Sequence, residues 1–358
     1  MLNYLTGRIL YSLLVILGII TVVFLLFSVL PGDPARMMLG QRADKESVEA
    51  INKDLGRDKP MFQQYLKFLN DVSPLSFHDT KDEAHFLFLD ETKYENYVTL
   101  FSVSSKAVVL KAPYLRRSYQ SQRNVSSILL EALPGTTILA IVSMLIATIL
   151  GIFLGVYAAV NKNTYADRIS TVLSIFGMSL PSFVAAILVV WIFAYLLGDI
   201  TGLPVTGSLY EIDEFEGRTI AWKNLILPAF TLGIRPLAIV MQLTRSSMLE
   251  VLSMDYIRTA RAKGLHFYNI LFKHALVNAL NPVVTAISGW FASLMAGAVF
   301  VEIIFGWKGL GVVMLDALNK YDLPVVMGSV LLVSVIFVAV SIAVDFIYAL
   351  IDPRVKVY

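Results

Sequence analysis

The most distinctive cluster of polar residue types runs from Met248 to Leu265. Within it Asp255, Tyr256, Arg258, Thr259, Ala260, Arg261, Ala262, Lys263 and Gly264 form one unit. These residues suit docking rather than catalysis. Asp255 is placed to cap a short helix over Tyr256 to Lys263. Gly264 is placed to end it in the left-handed region, and Arg261 and Lys263 favour the negative end of its dipole. A helix lying flat on a membrane needs a strong apolar face; this one is short, small-sided and basic. Its spacing allows two readings, a plug for a protein groove and a solvated basic face. A second helix from His266 is expected to lead out of the segment.

Other chemistry is sparse. Arg235, followed by Pro236, sits midway along an apolar run, where a cation costs at least about 2.5–3.5 kcal/mol. It should therefore face protein or water. Lining a transport pathway is the functional reading, and a structural ion pair or a tilted helix the alternative. Pro228 and Pro236 are expected to break this run. The histidines are His78, His85, His266 and His274, none at metal-ligand spacing. His78 and His85, with Asp79, Asp82 and Glu83 nearby, read as a solvated loop. No nucleophile elbow is present, so no catalytic residue and no metal site is assigned. No G-x-x-x-x-G-K-[ST] phosphate loop exists either, so any ATP-driven work must come from a partner.

The elements that hold these residues are apolar. Of 358 residues, 57% are hydrophobic and 16% charged, against about 45–50% and 25% in soluble domains. The excess lies in long blocks that read as membrane helices: 9–30, 134–160, 169–197, 225–244, 276–301 and 324–350. The first is too long for a signal core and ends in Pro31-Gly32-Asp33-Pro34, so it reads as a retained span. The net charge of +2 gives no footprint for nucleic acid, and there is no cysteine.

A polar stretch separates the first two spans. Asp44 is expected to cap a helix through Leu55 and Gly56 to end it, and Pro60 to open another running to Leu69. His85 to Leu89 and Lys106 to Lys111 look strand-like. Basic residues concentrate in loops 161–168 and 245–274 and in the tail, whereas loop 198–224 is acidic. By the positive-inside rule both termini and loop 245–274 are then cytoplasmic, and 31–126 is outside. Gly151 with Gly155, and Ser293 with Gly297, permit close helix packing, within one bundle or against a second subunit. Glu302 and Asp345 lie near span ends and read as interfacial.

Aligned on Gly264, the loop resembles the EAA loop of ABC importer permeases in the form found in the dipeptide and oligopeptide branch. Arg258 stands at the Glu position and Thr259 and Ala260 at the Ala positions. Asp255 to Leu265 is similar to the peptide-branch form nearly letter for letter, and His274 to Val284 is similar to the same branch. So are Leu133-Pro134, Ser179 to Phe183, Arg245 to Glu250, Gly297 to Glu302, Phe305-Gly306-Trp307, Gly309-Leu310-Gly311 and Asp345 to Arg354. Lys308 departs from a common Pro, and the stretch 73–113 is longer than usual. The resemblance implies an all-α, six-helix type I ABC importer permease with an extracytoplasmic insert. Its expected divisions are a helix at 1–30, the insert at 31–126, a permease core at 127–350 with coupling loop 245–274, and a tail at 351–358.

The resemblance also implies partners in a bacterial inner membrane: a second homologous permease subunit, two cytoplasmic ATPases that carry ATP and Mg, and an extracytoplasmic peptide-binding protein. The loop then acts as a coupling helix seated in an ATPase cleft. Nickel-chelate and sugar substrates occur in the same branch. An ion-gradient transporter is the competing class, but intramembrane acids are few and no inverted repeat is evident. A receptor or scaffold reading leaves the loop unexplained.

Overall fold

The structure, a computed structural model, describes residues 2–29, 48–49, 52, 59–82, 85–90, 93–94, 97–213 and 217–351. The helices in chain order, apart from the single turn Gly198–Thr201, are α1 (Leu2–Val29), α2 (Met61–Val72), α3 (Val125–Val160), α4 (Tyr165–Ser179), α5 (Ser182–Leu196), α6 (Lys223–Leu252), α7 (Asp255–Ala262), α8 (Phe267–Ala279), α9 (Asn281–Gly297), α10 (Val299–Ile304), α11 (Leu310–Asn319) and α12 (Leu323–Ile351). The strands are β1 (Leu75–Asp79), β2 (Tyr97–Val103), β3 (Lys106–Lys111), β4 (Tyr210–Asp213) and β5 (Gly217–Ile220).

Among the described residues α1, α3, α6 and α12 are each long and apolar enough to cross a membrane. The pairs α4–α5 and α8–α9 are bent by 116° and 52°, and counting each as one span gives six. The run 169–197 is thus not one straight helix. Pro181 disfavours helical geometry in the residue before it, and Leu180 is extended at ψ 126°. Pro228 and Pro236 behave oppositely: α6 runs unbroken through both, as membrane helices do when neighbours take up the freed carbonyls. The C-terminal half of α5 and the middle of α8 are π-helical, over Val190–Leu196 and Ile270–Leu276.

Two compact units are present: residues 2–131 with 313–338, and residues 132–312 with 339–351. In the first, α2 begins after Pro60, as expected, and runs to Val72. It packs on α1 and α12 through Phe68, with Ile20, Val23, Phe24, Met327 and Leu331. Phe24 lies 5.2 Å from the Tyr65 ring, and the Tyr65 hydroxyl is 2.6 Å from Thr21 Oγ1. The sheet has the order β1–β3–β2, all antiparallel, with Leu75 opposite Leu110 and Tyr97 opposite Lys111. Buried Asp322, just before α12, accepts hydrogen bonds from Ser118 Oγ (2.5 Å) and the Tyr119 amide (3.0 Å).

Lys106–Lys111 is a strand, as its pattern indicates, but His85 to Leu89 is a turn with a single bridge, Asp79 to Phe88. Its backbone is committed to folding back, with the Phe88 amide on the His85 carbonyl (2.9 Å). His78 is not solvated. It is buried in β1, 3.2 Å from the Leu87 carbonyl and 3.0 Å from Ser76 Oγ, and burial lowers its pKa. Lys111 is also buried, lying over the Tyr94 ring and donating to the Asp71 carbonyl at 2.6 Å. Burial pushes its ammonium down to about 8. The Pro31 to Pro34 motif and the helix expected at Asp44 to Leu55 fall outside the described residues, apart from residues 48–49 and 52.

In the second unit α6 is the hub. Its apolar window is 67% buried, against 17% for α1. A Cβ at Gly151 would meet Val240 at 2.8 Å, and one at Gly155 would meet Thr244 at 2.6 Å. This glycine pair therefore packs α3 against α6 of the same chain, the close approach that small residues allow in lipid. At the other side of α6, Arg245 grips buried Asp167 in the first turn of α4 with two hydrogen bonds of 2.5 and 2.8 Å. Planar, bidentate pairing of this kind fixes orientation as well as distance.

Candidate coupling site

The segment between α6 and α8 folds as a two-turn helix held on a seat. Ile257 is fully buried and Ala260 nearly so. At i, i+3 spacing they share one face and join a cluster with Val156, Met248, Val251, Ile270 and Ala275. Asp255, Tyr256, Arg258, Thr259, Arg261, Ala262, Lys263 and Gly264 are exposed on the rest of the surface. Of the residues expected to couple, only Ala260 faces inward, into the seat.

The helix starts one residue earlier than its sequence indicates. Met254 occupies the N-cap position without a side-chain bond, and Asp255 is the first helical residue. Its carboxylate pairs with Arg258 at 3.3 Å instead of capping. The C-terminus follows expectation. Gly264 has φ +74°, its amide bonds the Arg261 carbonyl at 2.9 Å, and the Leu265 amide bonds Ala260 at 3.3 Å. This paired closure is a Schellman motif. The second helix begins after His266 as expected. Tyr256 links the two helices, receiving a hydrogen bond from Asn278 at 3.2 Å and donating to the His274 carbonyl at 3.4 Å.

A Cβ at Gly264 would meet nothing within 4 Å, so in this chain a substitution there costs only backbone strain, about 1–2 kcal/mol for most residues. A β-branched residue is worst in this region and Asn is tolerated. Gly264→Val is expected to weaken the helix end by about 1–2 kcal/mol and to lower uptake, with Gly264→Asn much closer to wild type. Uptake by membrane vesicles at matched chain levels checks this; equal rates for the two variants would count against the cap.

Two features lie apart from the helix. Glu302 is not interfacial: it is fully buried. It accepts from Thr136 Oγ1 at 2.6 Å and from the Val312 amide at 3.1 Å, while Thr136 accepts from the Leu310 amide at 2.8 Å. Trp307 Nε1 donates to the Gly135 carbonyl at 3.0 Å. One knot thereby joins Leu133-Pro134's neighbours to the Phe305–Gly311 loop. The side chain of Asp345 is outside the described residues.

Arg235 projects beside a cavity of about 100 Å³ lined by Leu180, Ser182, Thr231, Trp290 and Ser293. Its guanidinium stands 5.6 Å from the Trp290 ring centre, within cation–π range. Among the described residues no carboxylate forms an ion pair with it. The break between α4 and α5 opens onto the same cavity.

Comparison with known proteins agrees with this geometry. Residues 151–357 match the family described as binding-protein-dependent transport system inner membrane component, and residues 1–85 match the family of its N-terminal part. The chain is 32% identical to the dipeptide transport system permease protein DppB of Alkalihalophilus pseudofirmus, covering 99% of this chain and 100% of that one. It is 34% identical to the glutathione transport system permease protein GsiC of Pectobacterium atrosepticum, covering 99% of each. Among solved structures it is similar to an inward-facing MetNI methionine ABC transporter, with TM-score 0.50, 19% identity, and coverage of 63% of this chain and 97% of that one; this likeness concerns the fold. An exposed, glycine-capped helix on a hydrophobic seat, in a bundle of apolar helices matched end to end by permeases, makes this chain a member of the inner-membrane components of binding-protein-dependent transport systems, a transport permease and not an enzyme.

Proposed function

We propose that the chain is the membrane-spanning half of an ATP-driven importer of small peptides. The observation that carries this reading is α7: buried Ile257 and Ala260 hold it rigidly, and its polar face is open. That face, Asp255, Tyr256, Arg258, Thr259, Arg261, Ala262, Lys263 and Gly264, seats in a cleft of a cytoplasmic ATPase. Two such ATPases carry ATP and Mg. A second homologous permease subunit completes the pathway, and an extracytoplasmic binding protein delivers the peptide. Both termini are cytoplasmic and 31–126 is outside; 127–350 is the permease core. Peptide is favoured as the substrate because the full-length relatives are named for dipeptide, di/tripeptide and glutathione transport. Closure of the ATPases then moves α7, and with it α6 and α8, as a rigid body. Arg235, over Trp290 at the cavity by the α4–α5 break, lines the pathway.

The absence of cysteine from the chain makes the test direct. Arg261→Cys and Lys263→Cys should each cross-link to a single cysteine in the ATPase cleft, and labelled dipeptide should enter vesicles only with ATP. Arg235→Met should raise the KM for peptide uptake while leaving cross-linking intact. Labelling of Lys263→Cys from the outer face, or uptake without ATP, would end the reading.

A further inference from the structure

The helix α2 follows the first span, within a stretch whose composition reads as a soluble insert. Its three faces say otherwise. Phe68, Leu69, Val72 and part of Tyr65 turn toward α1 and α12, while buried Asp71 accepts a hydrogen bond from the Tyr94 hydroxyl at 2.6 Å. Phe62 and Leu66, at i and i+4, form a second stripe. Phe62 is 69% exposed, and Leu66 is also exposed. Gln63, Lys67 and Asn70, at i, i+4 and i+7, form a third stripe, about 100° around the helix from the second. Asn70 faces the sheet, exchanging two hydrogen bonds with the Phe77 backbone at 2.8 and 3.0 Å. The folded sheet is therefore tied to the polar flank, and nothing described covers Phe62.

Depth decides what lies against that apolar flank. Tyr65 is bonded to Thr21, and Tyr65 and Phe68 stack near Phe24. Thr21 and Phe24 belong to the apolar span Thr6–Ser28, not to its flank. Thr21 lies seven residues before the end of that span, about 10 Å at 1.5 Å per residue. Amphipathic helices that lie in a membrane interface sit about 5–10 Å into the boundary between headgroups and chains. On the same helix, Val22, Leu25 and Leu26 are exposed apolar residues of a span that is only 17% buried, so the lipid-facing surface of α1 reaches the level of α2.

We propose that α2 is an in-plane membrane helix: Phe62 and Leu66 insert among the acyl chains of the leaflet at the C-terminal end of α1, while Gln63 and Lys67 face the headgroups and water. The occupant of this flank is lipid. The sheet β1–β3–β2 is then held at the membrane surface by a helix anchored both to α1 and to the bilayer.

Single-cysteine variants of the full chain, assembled with its partner subunits in lipid vesicles and spin-labelled, test this without removing any native cysteine. Phe62→Cys and Leu66→Cys should give labels more accessible to oxygen than to a water-soluble nickel chelate, and Gln63→Cys the reverse. Nickel accessibility at 62 and 66 matching that at 63 would overturn the proposal. So would strong immobilisation with neither reagent reaching 62 or 66, which would mean that a protein covers the flank. Because the readout is local depth, it stands or falls separately from the peptide-import reading. Thermal unfolding of each labelled variant at the temperature of the unlabelled chain reports that the fold is kept.

Discussion

Ile257→Asp is expected to abolish uptake while leaving the chain in the membrane. Ile257 is fully buried between α7, α3, α6 and α8. Removing it forfeits about 1.5–3 kcal/mol of apolar burial, and an unpaired carboxylate in the same place costs several kcal/mol more. Ala260 and the Tyr256 hydrogen bonds are too small a hold to offset that cost, so the eight-residue helix leaves its seat. The spans, which rest on their own contacts, remain. Ile257→Val should cost only about 0.5–1.5 kcal/mol and keep most of the uptake. Arg258→Ala should leave stability within about 0.5 kcal/mol, because Arg258 is 75% exposed and its pairing with Asp255 is a surface one. Its effect, if α7 docks as proposed, falls on ATPase binding. Uptake assays at matched chain levels, with ATPase co-purification, separate the two kinds of loss; an aspartate variant that transports at half the wild-type rate or better would refute the role of the seat.

The second large effect is expected at Glu302. In Glu302→Ala the Thr136 hydroxyl and the Val312 amide lose their acceptor inside the protein. Each buried donor left unsatisfied costs about 1–3 kcal/mol, and the vacated volume adds a cavity term. Glu302→Gln keeps the volume and one acceptor, so it should be milder. Thermal unfolding in detergent should rank wild type above Gln and Gln above Ala. A wild-type melting temperature for the alanine variant would show that the knot around Thr136 and the Phe305–Gly311 loop is incidental.

Local features were readable in the sequence, and features made by distant pairs were not. The apolar blocks mark α1, α3, α6 and α12 because span length is a property of the run itself. The end of α7 is legible because a left-handed residue after a short helix demands glycine. Asp255 misled because an N-cap residue and a first-turn residue are chemically alike, and only the backbone of Met254 separates them. Glu302 looked interfacial because its partners, Thr136 and Val312, lie in different segments of the chain. The Asp167–Arg245 clamp, 78 residues apart, was invisible for the same reason. Ile257 went unremarked among its polar neighbours, although its spacing with Ala260 marks an inward face. The strand β2 carries a plain β-rich run, Tyr97 to Val103, whereas His85 to Leu89 carries a similar one and turns. Short apolar runs do not distinguish these outcomes. The bend of 116° at Pro181 was not anticipated: 169–197 reads as one apolar run, because a single proline interrupts the backbone without interrupting the hydropathy.

The seat of α7 has a mechanical consequence. Eight residues make a rod about 12 Å long, gripped near its middle by Ile257 and Ala260, latched at one end by Tyr256 and locked at the other by Gly264. A short rod held to the bundle at its middle and at Tyr256, and stiffened at its far end by its own cap, has little slack in which to absorb a push. If α7 docks as proposed, a displacement of its free surface would pass to the roots of α6 and α8, as the shove of a ball does in a tight socket.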